Sequence, residues 1–166
     1  MPKKLPTPRK PSSSSDAIAL LKADHKQVTT WFKQFESARS DNNRQSLAQK
    51  ICSALRVHTK IEEEIFYPAI ESLGSKHGEA RERVLEAREE HQGIRTLLDE
   101  LGELQPDNEE FDDRMKALIE SVSEHADREE EEIFPFFDDL SRGERDRVSD
   151  ELRNRKTELA EEYGEE

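Results

Sequence analysis

The sequence has few of the residues that form cross-links, phosphate-binding loops or membrane spans. Cys52 is the only cysteine among 166 residues, so an internal disulfide and a cysteine-based zinc ribbon are excluded, and we expect its side chain in the core. Neither a glycine-rich phosphate loop nor a Ser-His-Asp triad is recognisable. No apolar stretch is long enough to cross a bilayer or to form a secretory signal, so we expect a cytoplasmic protein with no membrane partner.

Basic residues are scarce relative to acidic ones. The chain has 26 Lys and Arg against 39 Asp and Glu, and its net charge is −13. Residues 1–15 contain four of the basic residues and no acid, so the rest of the chain is still more acidic. We therefore expect no nucleic-acid partner. Residues 1–15 also contain four of the seven prolines and four consecutive serines, which predicts a disordered tail.

The remaining residues are patterned as helices. Apolar residues recur every three or four positions in four segments, and turn signals separate the segments at residues 40–43, 74–75 and 106–108. Short connections make consecutive helices antiparallel neighbours. The sequence therefore predicts an all-α protein, with an up-down-up-down four-helix bundle over residues 16–141. Residues 142–166 are expected to form an extra charged helix or a tail.

One sequence motif occurs twice in the chain, with its histidine, glutamates and proline at the same offsets. HTKIEEEIFYP begins at His58, and HADREEEEIFP begins at His125. In each motif the histidine, and a glutamate four residues after it, interrupt the apolar stripe, so Glu62 and Glu129 face inward with the histidines. The proline that closes each motif is expected to end or kink its helix.

Histidines also interrupt the stripes of the first and third segments. These are His25 and His91, and together with His58 and His125 they are almost equally spaced along the chain. The midpoints between successive histidines fall inside the predicted turns. In antiparallel helices, residues equidistant from a turn lie at the same height, so we expect all four rings in one layer.

Two buried carboxylates beside four imidazoles need a partner for their charge. A single inward histidine is usually a hydrogen-bonded core residue, but an unpaired buried carboxylate costs several kcal/mol. A pair of divalent metals would neutralise both acids, with the glutamates as bridges and two histidines on each metal. Nitrogen and oxygen donors without thiolate favour iron, with manganese or zinc as alternatives. The expected ligands are His25, His58, Glu62, His91, His125 and Glu129.

These elements, with DH at 24–25 and EEH at 89–91, resemble the hemerythrin-like family, in particular its HHE cation-binding branch. The resemblance covers roughly residues 16–140. It implies a four-helix bundle with an oxo- or hydroxo-bridged, non-haem di-iron centre that meets dioxygen, nitric oxide or peroxide. It also implies the same six ligands.

Two departures from oxygen-carrying hemerythrins bear on function. Those carriers have two histidines a turn apart on the third helix, whereas Ala87 and Arg95 lie a turn either side of His91 here. One metal would then have one ligand fewer, which argues against reversible oxygen carriage and leaves room for reactive chemistry. The carriers also place the last acidic ligand at the position of Glu130, but the internal repeat favours Glu129.

Other polar residues near the repeats are expected to have ordinary roles. Tyr67 lies about 13 Å along the helix from the histidine that opens its motif, which favours packing. His77 is expected near a turn at the surface. Glu63, Glu64 and residues 130–132 are expected on the solvated backs of their helices.

Three functions fit these patterns. The first is a di-iron protein that binds or reduces a small oxidant, such as dioxygen, nitric oxide or peroxide; reduction would also require a redox partner protein. The second is an iron-sensing or iron-holding protein without turnover. The third is a metal-free helical interaction module with a buried polar layer.

Overall fold

The computed structural model describes the backbone of residues 13–163 and the side chains from residue 17 onward. Residues 1–12 of the predicted tail lie outside the described residues, and residues 13–15 are the first residues of a helix. The described residues are almost entirely helical and form no strand. The all-α prediction is confirmed. None of the described helices contains an apolar segment long enough to span a bilayer.

Six α-helices follow one another along the described chain. They are α1 (Ser13–Ser37), α2 (Asp41–Ile61), α3 (Tyr67–Glu71), α4 (Gly78–Glu103), α5 (Glu109–Glu132) and α6 (Arg142–Glu162). A π-helical turn, Glu62–Phe66, joins α2 to α3. Short 3-10 helices, Gly74–His77 and Phe134–Asp139, precede α4 and follow α5.

The predicted turns separate the long helices because their residues satisfy free backbone groups. The Ser40 hydroxyl accepts a hydrogen bond from the Asn43 N–H at the start of α2, at 3.1 Å. The Asn108 side chain accepts one from the Glu110 N–H at the start of α5, at 2.9 Å. Gly74 adopts a φ of 78°, a left-handed conformation that suits glycine at the end of a helix.

The core consists of two apolar clusters at opposite ends of the bundle. The upper cluster contains the N-terminal parts of α1 and α4 and the chain around the C-terminal ends of α2 and α5, and it includes Leu21, Phe66, Val84 and Phe137. The lower cluster contains the other halves of the same helices, and it includes Phe32, Ile51, Leu98 and Met115. This exchange of halves shows that α1 and α4 run antiparallel to α2 and α5, as predicted.

Helix α6 packs along α1 and α2. Val148, Leu152 and Leu159 are buried in the upper cluster, so the sparse apolar stripe is enough to fix the helix. The extra C-terminal helix is therefore present.

The two prolines act differently. Pro135 follows the last residue of α5 by three positions, and the chain continues there as a 3-10 helix. Pro68 lies inside a continuing helix, two residues after the end of the π turn. The Tyr67 N–H bonds there to the Glu62 carbonyl, five residues back. A π turn contains one residue more than an α turn and widens the helix before the proline ring. The turn also places residues 62 and 67 on the same face.

Cys52 is half-buried against the lower cluster, and we expect its thiol to react slowly with alkylating reagents. Burial raises its pKa from an ordinary value of 9.0 to about 11, although Arg56 opposes the rise. At neutral pH we expect alkylation of the folded protein to be about 100-fold slower than that of the unfolded chain, because only the thiolate reacts. Timed iodoacetamide labelling with and without urea measures this ratio, and equal rates would contradict the prediction.

Candidate metal centre

Six buried polar side chains form a layer between the upper and lower clusters. They are the six that the sequence pattern indicated: His25, His58, Glu62, His91, His125 and Glu129. The most exposed of them, His25, retains 8% of its accessible surface. The described structure therefore brings all six side chains together, away from solvent.

The four rings form two pairs. The Nε2 atoms of His25 and His58 lie 3.1 Å apart, and those of His91 and His125 lie 3.0 Å apart. The rings within each pair meet edge to face, at interplanar angles of 65° and 62°. All four Nε2 atoms consequently point into the same small volume.

Each glutamate contacts one ring of each pair. Glu62 Oε1 lies 3.2 Å from the Nε2 atoms of both His58 and His91. Glu129 reaches the other two rings, with Oε1 3.2 Å from His25 Nε2 and Oε2 3.4 Å from His125 Nε2. The result is two overlapping groups of four possible ligands that share both glutamates, with the ligand atoms of each group within 4.8 Å of one another.

The outer nitrogen of each ring is held by a further carboxylate. The Nδ1 to oxygen distances are 2.7 Å for His25 to Glu130, 2.8 Å for His58 to Asp24, 3.1 Å for His91 to Glu63 and 2.9 Å for His125 to Glu90. A carboxylate on the outer nitrogen is the usual support of a metal-binding histidine, because it fixes the tautomer and the orientation of the ring.

The expectation that Glu63 and Glu130 lie on solvated helix backs is wrong. Each follows an inward glutamate directly, and its side chain turns sideways to a ring on a neighbouring helix. Glu63 is 22% exposed and also binds Arg95. The sequence does contain a signal for this arrangement, because an acid is adjacent to an inward residue at each such position: Asp24, Glu63, Glu90 and Glu130.

The arrangement of hydrogens makes the layer suited to a cation. An ionised carboxylate only accepts hydrogen bonds, so each Nδ1 must carry a hydrogen, and a neutral ring then presents a lone pair at Nε2. These lone pairs face one another and the glutamate oxygens at 3.0–3.4 Å. Among the described residues, Glu62 Oε2 and Glu129 Oε1 are buried without a hydrogen-bond donor. A layer of lone pairs and unbonded acid oxygens fits metal ions.

Without a metal, protons stabilise the layer. Burial lowers the pKa of His58, but Glu62 and Asp24 outweigh it, so the pKa lies well above its ordinary value. Burial likewise opposes charge on His125, and Glu129 raises its pKa overall. For Glu129 burial favours the neutral acid, but the neighbouring histidines hold its pKa well below the usual range.

A comparison with known protein families agrees with this geometry. The family profile of the hemerythrin HHE cation-binding domain matches residues 16–137, which is most of the chain and includes every residue of the layer. The chain belongs to the hemerythrin family. Helix α6 lies beyond the matched residues of the hemerythrin domain.

Two curated proteins are similar to this hemerythrin-domain chain. A DNA nickase of Nostoc sp. is 25% identical over 146 residues, which make up 87% of this chain and 40% of the nickase. An uncharacterized hemerythrin-like protein of Schizosaccharomyces pombe is 26% identical over 124 residues, which make up 75% of this chain and 59% of that protein. The chain thus spans less than two thirds of both relatives. No solved structure matches it significantly.

Tyr67 belongs to the layer of this hemerythrin domain, and the expectation that it only packs is wrong. Its hydroxyl donates to Glu129 Oε2, lies 3.1 Å from His91 Nε2 and lies 3.5 Å from Glu62 Oε1. Burial, followed by the charges of Glu129 and Glu62, raises its pKa well above the ordinary value. The separation of about 13 Å between Tyr67 and His58 along their own helix does not decide the role of Tyr67, because its phenol reaches the ring of His91 on α4.

The carboxylates that hold the outer nitrogens follow the internal repeat. His58 and Asp24 both come from the first hairpin, α1 to α3, and His125 and Glu90 both come from the second, α4 and α5. The other two contacts cross between hairpins: His25 is held by Glu130, and His91 is held by Glu63. Each hairpin therefore supplies one support to the other.

A small cavity borders the layer on the side of the lower cluster. Its volume is about 10 Å³. Apolar residues, among them Val28, Leu55, Ile94 and Val122, line it together with three of the layer histidines, Asp24 and Thr59. That volume is about the minimum that holds one water molecule. The apolar residues and the small volume favour a small ligand over a large one.

A third layer of charges lies outside the supporting carboxylates. Arg95 binds Glu63, Arg128 binds Glu90, and Lys156 of α6 binds Asp24 at 2.5 Å. Burial raises the pKa of Asp24, but His58 and Lys156 together lower it below its ordinary value. Helix α6 therefore reaches the candidate centre through Lys156.

His77 lies outside the centre and near a turn, as expected, but it is not a fully exposed surface residue. It is half-buried and pairs with Asp139, with 3.3 Å between His77 Nε2 and the Asp139 carboxylate.

Proposed function

We propose that this hemerythrin-domain protein holds two iron ions in the polar layer and there binds or reduces a small oxidant, such as dioxygen, nitric oxide or peroxide. The observation that supports the proposal best is the pair of overlapping four-ligand groups with two shared glutamates. One ion would be held by His25 and His58, the other by His91 and His125, and both by Glu62 and Glu129.

The donor set favours iron. Imidazole nitrogen and carboxylate oxygen without thiolate suit iron, and manganese or zinc could bind the same atoms. Bound iron would supply the electrons for an oxidant and the open positions where it binds. The protein supplies the remaining requirements: Asp24, Glu63, Glu90 and Glu130 fix the tautomers of the rings, and the apolar residues and small volume of the cavity favour a small ligand.

Metal analysis combined with optical spectroscopy tests this proposal. Protein produced in iron-rich medium should contain both ions, and its oxidised form should show the near-ultraviolet charge-transfer band of a bridged ferric pair. After anaerobic reduction, dioxygen, nitric oxide or peroxide should change the spectrum within the mixing time. The variant His77→Ala, outside the layer, should behave as wild type. Protein that takes up no iron under these conditions would refute the proposal.

Iron holding or sensing without turnover is the second candidate. The small volume of the cavity favours it, because a ligand larger than a water molecule would have to displace side chains. This candidate predicts that bound iron raises the midpoint of thermal unfolding. It also predicts that the spectrum of the reduced protein stays unchanged on exposure to dioxygen, nitric oxide or peroxide. A fast reaction with any of them would decide for the first candidate.

DNA is a less suitable substrate for this chain. The Nostoc relative is named as a DNA nickase, but the larger part of that protein lies outside the matched region. The net charge of −13 opposes binding to phosphate backbones. Incubation of the iron-loaded chain with supercoiled plasmid tests this point, and conversion to open circles would add nicking to its activities.

A further inference from the structure

The two halves of the layer differ at one pair of equivalent positions. The internal repeat that relates His58 to His125 also relates Tyr67 to Phe134. Phe134 stacks on His25, with ring centroids 5.9 Å apart and planes within 4°. The Tyr67 ring lies 5.3 Å from that of His91, and its hydroxyl enters the layer. An oxygen atom is therefore present beside one histidine pair and has no counterpart beside the other.

The Tyr67 oxygen is placed among the proposed ligands of one metal. It is 3.1 Å from His91 Nε2, bonds to Glu129 Oε2 and is 3.5 Å from Glu62 Oε1. Those three residues all belong to the four-residue group that contains His91 and His125. A metal ion bound by that group would therefore be close to the phenol oxygen, which is buried and cannot turn to solvent.

The surrounding residues hold the phenol in this place. The π turn puts Tyr67 on the face of Glu62, five residues before it. The Arg88 guanidinium covers the ring, 5.5 Å from its centroid. Ala87, a turn before His91, lies in the same apolar cluster and has no atom that could bind a metal in place of the phenol.

We infer that Tyr67 is a protein ligand of the metal held by His91 and His125, and that the other metal keeps the more open coordination. This inference rests on the proposed function. On binding, the phenol O–H bond would break and the oxygen would bond to the metal ion, with no change of oxidation state; the proton would pass to the Glu129 oxygen that accepts the phenol hydrogen bond, and from there to solvent. The two ions are then inequivalent, and an added small ligand binds the ion held by His25 and His58.

Iron-loaded protein tests the assignment, because a phenolate bound to ferric iron gives a visible charge-transfer band and characteristic resonance Raman modes. Wild type should show both signals. Tyr67→Phe, which removes one oxygen atom and keeps the ring, should lose them completely while retaining at least half of the iron. The chain has only two tyrosines, so Tyr163→Phe is a matched control and should retain the signals.

A substitution in the other half of the layer tests whether the missing hydroxyl is what makes the two metal positions differ. Phe134→Tyr places a hydroxyl at the equivalent position and should increase the phenolate signals about twofold over wild type. Iron-loaded wild type without phenolate signals, or signals that persist in Tyr67→Phe, would overturn the inference and leave the proposed function standing. Failure of wild type to take up iron would overturn both.

Discussion

Replacement of Glu129 by alanine is expected to remove both metals. Glu129 belongs to both ligand groups, and it contacts His25 through one oxygen and His125 through the other. Loss of a support outside the metal shell commonly lowers affinity about 10–100-fold, and loss of a ligand shared by both ions should exceed about 100-fold at each. Metal analysis of the purified variant after dialysis measures the effect.

Two further variants make this test specific. Glu131→Ala changes an exposed neighbour in the same helix, and it should retain the full metal content. His58→Ala removes a residue that belongs to one group only, and it should retain about half. If Glu129→Ala kept as much metal as Glu131→Ala, the glutamate bridge would be wrong.

Metal binding is expected to raise the midpoint of thermal unfolding by about 10–20 °C at neutral pH. Free metal at 100 times its dissociation constant stabilises the folded state by about 2.7 kcal/mol per site. Two sites contribute about 5 kcal/mol, and for a chain of this size each kcal/mol shifts the midpoint by about 2–4 °C. Calorimetry of chelator-treated and iron-loaded protein measures the shift. The Glu129→Ala variant should show almost none.

This shift should grow as the pH rises. In the metal-free protein the pKa values of His58 and His125 are raised above 6.5, so their stabilising effect is complete below pH 6.5 and is lost as the pH rises through the folded-state values. Glu129 behaves oppositely: its stabilising effect is present above pH 4.5 and is lost as the pH falls through its lowered pKa. Protons compete with metal for the same nitrogens, so alkaline pH weakens the metal-free protein and strengthens metal binding. A thermal shift that decreased between pH 6 and pH 8 would contradict this assignment.

The sequence predicted the helices and the inward histidines because both depend on regular geometry. Nearly equal spacings between successive histidines are enough to bring four rings to one height if the helices are straight and antiparallel. Glu62 and Glu129 followed from the same regularity, as each lies one turn after a histidine. The two apolar clusters confirm the antiparallel order.

The sequence pattern did not predict the roles of Tyr67, Glu63 and Glu130, because these roles depend on departures from that regular geometry. The π turn inserts one residue, so the face reached by Tyr67 cannot be found by counting 3.6 residues per turn. The supporting carboxylates are missed for another reason: Glu63 and Glu130 flank the inward face of their own helices and act on rings of neighbouring helices. Their role depends on the lateral distance between helices, which a pattern along one segment does not contain.

His25 and His91 are each held by a carboxylate from the other hairpin, so the centre connects the two hairpins. If the hairpins separate, His25 loses Glu130 and His91 loses Glu63 in the same event, and each proposed metal position would lose one of its two glutamates. Each half alone keeps two histidines and one glutamate, so it should bind an ion more weakly than the closed bundle does. Opening of the bundle should consequently weaken the binding of both ions in the same event, so their release is expected to be coupled.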